Sequence, residues 1–181
     1  MRAAWAGLSA AVWSTAASAG AVEREQHLGA DIGGSILVLS SKTELGGSVG
    51  AHFAYGLTDA FNLMAEAAWS PVALGKMPQS AGLGTSPGSI TNVDIGVAYV
   101  LDVGQWVPYG GALVGGYALT GGAISGASLL PGFVGALGLD YRFDRSWAAG
   151  VAFREHFLLT ELSTYPSFTQ VFARFEYTWG W

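Results

Sequence analysis

The sequence contains no cysteine, which excludes disulfide bonds and thiolate metal sites. Charged residues make up only 12% of the 181 residues, about half the share found in an average globular chain. The net charge of −5 argues against nucleic acid as a partner, because binding to phosphates requires a basic surface. Metal-ligand spacings and phosphate-binding loops are also missing, so neither a metal nor another cofactor is predicted.

Long apolar runs are scarce as well, although 51% of the residues are hydrophobic. Beyond the N-terminus no run reaches the ~18 apolar residues that a membrane helix needs. The chain begins with MRAAWAGLSAAVWSTAASAGA, which has one basic residue, a short apolar run and small-residue cleavage sites. This pattern predicts a signal peptide over residues 1–21, followed by an exported domain over residues 22–181. The alternative is an amphipathic first helix.

From about His27 onward, apolar residues alternate with small or polar ones, which is the period of a β-strand. The pattern predicts eight strands. Short turns rich in Asp and Gly (GLTDA, DVGQW and DRS) alternate with longer connections near residues 40–45, 70–90, 120–132 and 158–167. Short turns at one end and long loops at the other are typical of an outer-membrane barrel.

The two faces of the predicted strands differ in a way that favours lipid on the outside. The apolar face carries almost no charge, whereas the other face is mostly Gly, Ala and Ser, as the narrow lumen of an eight-stranded barrel requires. In VPYGGALVGGYAL, this rule assigns Tyr109 and Tyr117 to the lipid face. A soluble barrel, the alternative, would be polar outside.

Aromatic residues cluster within a few positions of the predicted turns and loops. Tyr and Trp favour the membrane–water interface, so aromatic residues concentrated at the ends of the strands predict aromatic girdles. The predicted girdle residues are Phe61, Trp69, Tyr99, Trp106, Tyr109, Tyr141, Trp147 and Trp179. Together these features predict an all-β fold, an eight-stranded antiparallel up-and-down transmembrane β-barrel.

Ionisable residues of both signs lie on the face assigned to the lumen. A buried charge is costly unless it is paired, so an ion-pair network is expected there. Arg174 should approach Asp31, because the last strand closes onto the first, and His52 should face Glu66. The predicted network comprises Asp31, His52, Glu66, Asp94, Asp140, Arg142, Arg154, His156, Arg174 and Glu176.

The alternating segments and the C-terminal FARFEYTWGW resemble the small outer-membrane β-barrel family of Gram-negative bacteria, of the OmpA membrane-domain, OmpX and OmpW kind. This resemblance implies location in the outer membrane, surrounded by its lipid. It also implies the barrel-assembly machinery and periplasmic chaperones as partners during biogenesis. Arg174, Tyr177, Trp179 and Trp181 match the family's C-terminal assembly signal, although Glu176 stands where that signal usually has a glycine.

Two functions remain open on the sequence, and no enzymatic activity is predicted. The first is a structural or surface-presenting barrel whose lumen is filled by charged pairs. The alternative is a narrow pore for small solutes, hydrophobic ones included, because TGGAISGASLLPG and FLLTELSTYP are rather apolar loops. A lipid-modifying enzyme is a further alternative. Ser163 or Ser167 is the available nucleophile, and His156 is the available base.

Overall fold

Alternating residues form eight long strands, as the period of two predicts. The computed structural model describes residues 23–40, 42–72, 86–101, 103–124 and 126–180, so the predicted signal peptide and Trp181 lie outside the described residues. No helix among these residues is long and apolar enough to cross a membrane. The strands are β1 (Gln26–Leu39), β2 (Lys42–Gly56), β3 (Phe61–Pro71), β4 (Ser89–Val100), β5 (Trp106–Thr120), β6 (Ala127–Arg142), β7 (Trp147–Leu158) and β8 (Ser167–Trp179).

Each strand pairs antiparallel with the next, and β8 pairs with β1, so the sheet closes into an up-and-down barrel. Following the paired residues once around the barrel leads from Gln26 back to β1 at Ile36, a stagger of ten positions. Such a stagger tilts the strands strongly and leaves a lumen that side chains can fill. The predicted fold class is confirmed.

The connections define two ends of the barrel. At the turn end lie both ends of the described chain and the short connections 57–60, 101–105 and 143–146. Local capping shapes two of these turns: Thr58 Oγ1 accepts N–H bonds from Ala60 and Phe61, and Asp144 Oδ1 accepts from Ser146 and Trp147. The opposite end, where β1, β3, β5 and β7 finish, is here called the loop end.

The connection between β1 and β2 is shorter than predicted. Leu39 pairs with Lys42, so only residues 40–41 separate the two strands. The prediction of a longer loop over residues 40–45 was wrong because Thr43–Leu45 continue the ladder.

The predicted faces hold for every strand except β5, where they are inverted. Tyr109 and Tyr117 are 7% and 1% exposed and point into the lumen, whereas Val114 is 59% exposed. The rule that the more apolar face meets lipid fails here, because this stretch of the lumen is filled by aromatic rings rather than by small residues. Tyr109 is therefore not part of the girdle, and Tyr117 is not in lipid.

Candidate functional site

The lumen at the turn end contains a charged cluster, here called the inner cluster: Glu25, His27, Asp31, His52, Asp140, Arg142, Arg174 and Glu176. His52 connects two carboxylates, with its Nδ1 2.9 Å from Asp31 Oδ2 and its Nε2 3.1 Å from Glu176 Oε2. His27 Nδ1 lies 2.8 Å from the other oxygen of Glu176. Each imidazole thus lies between two carboxylates, since His27 Nε2 is 3.4 Å from Glu25 Oε2, and this offsets the cost of burying these groups.

Arg174 lies at the centre of the inner cluster but is held loosely. Its nitrogens lie 3.4 Å from Asp31, 3.7 Å from Asp140 and 3.7 Å from Glu176. Arg174 Nε and Nη1 make no hydrogen bond, and Arg174 and Asn62 line a recess at this level. The inner cluster therefore encloses unfilled space at the turn end of the lumen.

The middle of the lumen is crossed by a second ion pair. Arg154 projects from β7 to Glu66 on β3, with Nε 2.9 Å from Glu66 Oε2. Arg154 Nη2 also donates to the hydroxyl of Tyr109 at 3.3 Å. The guanidinium carbons of Arg154 and Arg174 lie 5.6 and 5.1 Å from the Tyr109 ring centroid, within cation–π range. Tyr109 therefore links the middle pair to the inner cluster.

Directly above this pair, around Tyr117, the polar contacts are hydrogen bonds rather than ion pairs. Tyr117 donates to Asp94 Oδ1 at 3.0 Å, and its hydroxyl lies 2.8 Å from His156 Nδ1. Asn92 also donates to Asp94, at 2.6 Å, and His156 Nε2 lies 2.8 Å from Gln170 Oε1. Asp94 and His156, both predicted in the ion-pair network, are thus held by neutral partners.

The loop end of the lumen is filled by apolar side chains, here called the outer apolar cluster: Leu37, Leu39, Val72, Ile90, Leu119, Leu158, Tyr165 and Phe168. Leu37, Ile90, Leu119, Leu158 and Phe168 are 0% exposed. Burial, together with the charge of Glu161, raises the pKa of Tyr165, so this loop residue stays neutral. One carboxylate lies at the same end, that of Glu44, which is 3% exposed and 2.7 Å from Lys42 Nζ, so the closure there is mainly apolar.

Glycines on neighbouring strands make room for the bulky lumen side chains. His52 is paired with Gly29, and Tyr109 is paired with Gly138. A Cβ on Gly29 would lie 2.2 Å from the His52 ring, and one on Gly138 would lie 2.2 Å from the Tyr109 ring. The glycine content of the chain is therefore part of how the lumen is filled.

Large apolar side chains cover the outside of the barrel: Ile32, Val93 and Leu137 are 60–66% exposed. An aromatic band surrounds the turn end, where Phe61 packs edge-on against Tyr99 and Trp106 contacts Tyr141. Other outward-facing predicted girdle residues are Trp147 and Trp179 near the turn end and Trp69 near the loop end. Phe157, which is 37% exposed near the end of β7, joins Trp69 in a second, sparser aromatic level, and two such levels bounding an apolar band are typical of a membrane barrel.

The geometry does not bring together the predicted nucleophile and base. The His156 ring is fully buried in the lumen, where its nitrogens make hydrogen bonds with Tyr117 and Gln170. Ser167 faces outward and donates to Glu155, while Ser163 is exposed in the loop before β8. The described residues also contain no group of three or more His, Asp or Glu side chains arranged to hold a metal.

Several lumen residues were missing from the predicted set. Glu25, His27, Tyr109, Tyr117 and Gln170 all belong to the lumen contacts. For His27 and Gln170 the alternation already gave the correct face, and their polarity was the available signal. For the two tyrosines the sequence carried no such signal, because a ring with a hydroxyl suits both an interface and a lumen.

Solved structures of small outer-membrane barrels have the same fold. Neisserial surface protein A superposes with a TM-score of 0.66, over 84% of this chain and 96% of its own, at 13% identity. Ail of Yersinia pestis superposes with a TM-score of 0.58, over 87% of this chain and 100% of its own, at 11% identity. The N-terminal β-barrel domain of Pseudomonas aeruginosa OprF superposes with a TM-score of 0.56, over 87% of this chain and 98% of its own, at 15% identity.

No protein-family model matches the chain, and no curated protein does. At identities of 11–15% the structural likeness shows the fold alone. That fold is the one found in small eight-stranded outer-membrane barrels, so the resemblance predicted from the sequence is confirmed at the level of fold.

Proposed function

We propose that the chain is an integral outer-membrane barrel with a structural or surface-presenting role and a lumen closed by its own side chains. Its location in the outer membrane is supported by the fold of its structural neighbours and by the apolar exterior between two aromatic levels. An N-terminal signal peptide would deliver it there, and outer-membrane lipid would surround it. Periplasmic chaperones and the barrel-assembly machinery would handle it during biogenesis, with the C-terminal aromatics as the signal.

One observation supports the closed lumen: polar side chains fill one part of the barrel, and apolar side chains fill the part beyond it. The inner cluster and the Arg154–Glu66 pair occupy the turn end and the middle. The outer apolar cluster occupies the loop end, with five side chains at 0% exposure. A solute would have to displace both kinds of closure in order to cross.

A narrow pore is the second candidate, and one observation favours it. A recess lined by Arg174 lies at the turn end of the lumen, and the Arg174 Nε and Nη1 atoms have no hydrogen-bond partner. In a pore, such a recess would form the turn-end part of the conducting path. The outer apolar cluster lies between this recess and the loop end, which favours the closed barrel over the pore.

Conductance in a planar lipid bilayer separates the two functions. The refolded wild type should show no unitary currents. Arg174→Ala should also be silent, because the Arg154–Glu66 pair and the outer apolar cluster still fill the lumen above it. A general porin refolded in the same way serves as a positive control for insertion. Steady unitary currents from the wild type would contradict the closed lumen and favour the pore.

A further inference from the structure

A carboxylate stands on the lipid-facing side of β7. Glu155 is partly exposed and projects outward, between Arg154 and His156, which project into the lumen. It lies three residues before the end of β7 at Leu158, near the loop end. An ionisable side chain facing lipid is unfavourable, although less so near the interface than at the midplane. The presence of this carboxylate in a largely apolar exterior therefore requires a physical reason.

Two hydroxyls on β8 hold this carboxylate in place. Thr169, its register partner, donates to Glu155 Oε2 at 2.7 Å, and Ser167 donates to Oε1. A carboxylate has about four lone-pair sites, so two hydroxyl donors leave it able to accept further hydrogen bonds. Because both hydroxyls come from β8, the remaining acceptor capacity points toward lipid and β6.

On the β6 side of Glu155 the surface is open. Its register partner there is Gly135, and a Cβ built on Gly135 would meet no atom within 4 Å. The missing side chain leaves a notch beside the carboxylate, between the outward side chains of Phe133 and Leu137.

An apolar groove begins one step nearer the membrane midplane. The pair Phe153–Val171 follows Glu155–Thr169 along the ladder. These two residues, with Leu137, Leu139 and Val151, line a groove of about 260 Å³ on the lipid-facing surface. The groove thus ends at the level where the notch and the carboxylate lie side by side, as the acyl chain of a lipid ends at its junction with the head group.

We propose that this groove holds an acyl chain of one membrane lipid, whose junction between chain and head group donates an N–H or O–H bond to Glu155. An amide-linked or hydroxylated acyl chain has this chemistry, whereas an ester-linked chain without hydroxyls offers no donor there. The inference rests on the proposed function, because the groove meets lipid only if this face lies in the bilayer.

Two lipids with the same phosphocholine head group test the proposal. Sphingomyelin has an amide N–H and a hydroxyl at the junction, whereas phosphatidylcholine of matched chain length has esters. The folded full-length barrel in detergent micelles is mixed with both lipids in equal amounts, and the retained lipid is identified by native mass spectrometry. The wild type should retain one sphingomyelin in about tenfold preference, as one hydrogen bond to a charged acceptor allows.

Three variants distinguish a site from general lipid coating. Glu155→Ala should lose the preference but still retain lipid, and Gly135→Leu should fill the notch and lose bound sphingomyelin. Gly116→Leu is the matched control, because Gly116 also faces outward on β5 with no atom near its Cβ position. It should behave like the wild type.

Equal retention of the two lipids by the wild type would overturn the proposal. So would an unchanged preference in Glu155→Ala, or equal losses in Gly135→Leu and Gly116→Leu. Each comparison uses protein shown by circular dichroism to be folded. A wild type that fails to fold in any lipid or micelle would instead contradict the proposed membrane barrel, so the two failures can be told apart.

Discussion

Arg154 is the largest of the fully buried side chains among the described residues, with 2% of its surface exposed. Its guanidinium meets Glu66, the Tyr109 hydroxyl and the backbone carbonyls of Leu137 and Phe153. A buried arginine is tolerated when its charge is paired and its remaining N–H groups have acceptors. Arg154 meets both conditions, so it spans the lumen as a fixed crosslink between β7 and β3.

Removing Arg154 should destabilise the barrel strongly. Arg154→Met leaves the Glu66 carboxylate buried without a cation, and breaking a buried pair in this way costs about 3–5 kcal/mol. The measurement is equilibrium unfolding in urea with the protein in lipid vesicles, followed by circular dichroism.

Two further variants make this result specific. Adding Glu66→Leu to Arg154→Met should recover part of the loss, because no unpaired charge then remains. Arg145→Met in the exposed turn after Arg142 should change the free energy of unfolding by less than about 0.5 kcal/mol. If Arg154→Met were as stable as the wild type, the Arg154–Glu66 pair would contribute nothing to the free energy of unfolding.

The partners in the lumen could be predicted only where strands are neighbours. Asp31 and Arg174 are in register across the β1–β8 pairing, so closure of the barrel was enough to place them together. Arg154 and Glu66 lie on β7 and β3, which are not neighbours, and they meet across the lumen. That contact depends on barrel stagger and side-chain reach, which residue alternation does not encode.

The pairing of β1 with β8 depends on a close approach at Gly33. Its register partner is Phe172, and a Cβ on Gly33 would lie 1.8 Å from the backbone oxygen of Val171. A backbone oxygen in a ladder cannot move aside as a flexible side chain can. Gly33 therefore allows the two strands that close the barrel to reach their observed separation.

Gly33→Ala should weaken closure of the barrel. We expect a loss of about 1–3 kcal/mol, or more if the ladder cannot shift, because the added methyl group overlaps backbone. Urea unfolding in vesicles measures the effect. Gly34→Ala is the control, since its Cβ would meet its nearest atom at 3.7 Å. Equal stability of the two variants would contradict this role for Gly33.

At the level of strands, alternation predicted the architecture but not every face. In β8 the charges between aromatics identified the lumen side, and Arg174 and Glu176 do face inward. In β5 both faces are apolar or glycine, so hydrophobicity could not separate them. What decided the face was the space opposite Tyr109 at Gly138, which depends on the register with β6.

Across the whole molecule, the polarity of the lumen changes from one end to the other. Charges dominate the turn end, neutral hydrogen bonds the upper middle, and apolar side chains the loop end. Outside, the band between the aromatic levels is apolar apart from a few polar side chains such as Glu155. This arrangement supports the proposed closed interior, and the central claim of the proposal is that the exterior lies in lipid.

The most direct test of that claim is depth-resolved quenching of tryptophan by brominated lipids. Variants keep either Trp106 or Trp69 alone, or have Leu137→Trp on a tryptophan-free background, and each is refolded into vesicles. Bromines near the head group should quench Trp106 and Trp69 most, because these residues lie at the two aromatic levels. Bromines near the chain ends should quench Leu137→Trp most, because position 137 lies outward in mid-strand. Quenching of all three no stronger than that of a water-soluble indole would contradict a barrel whose outer face lies in lipid.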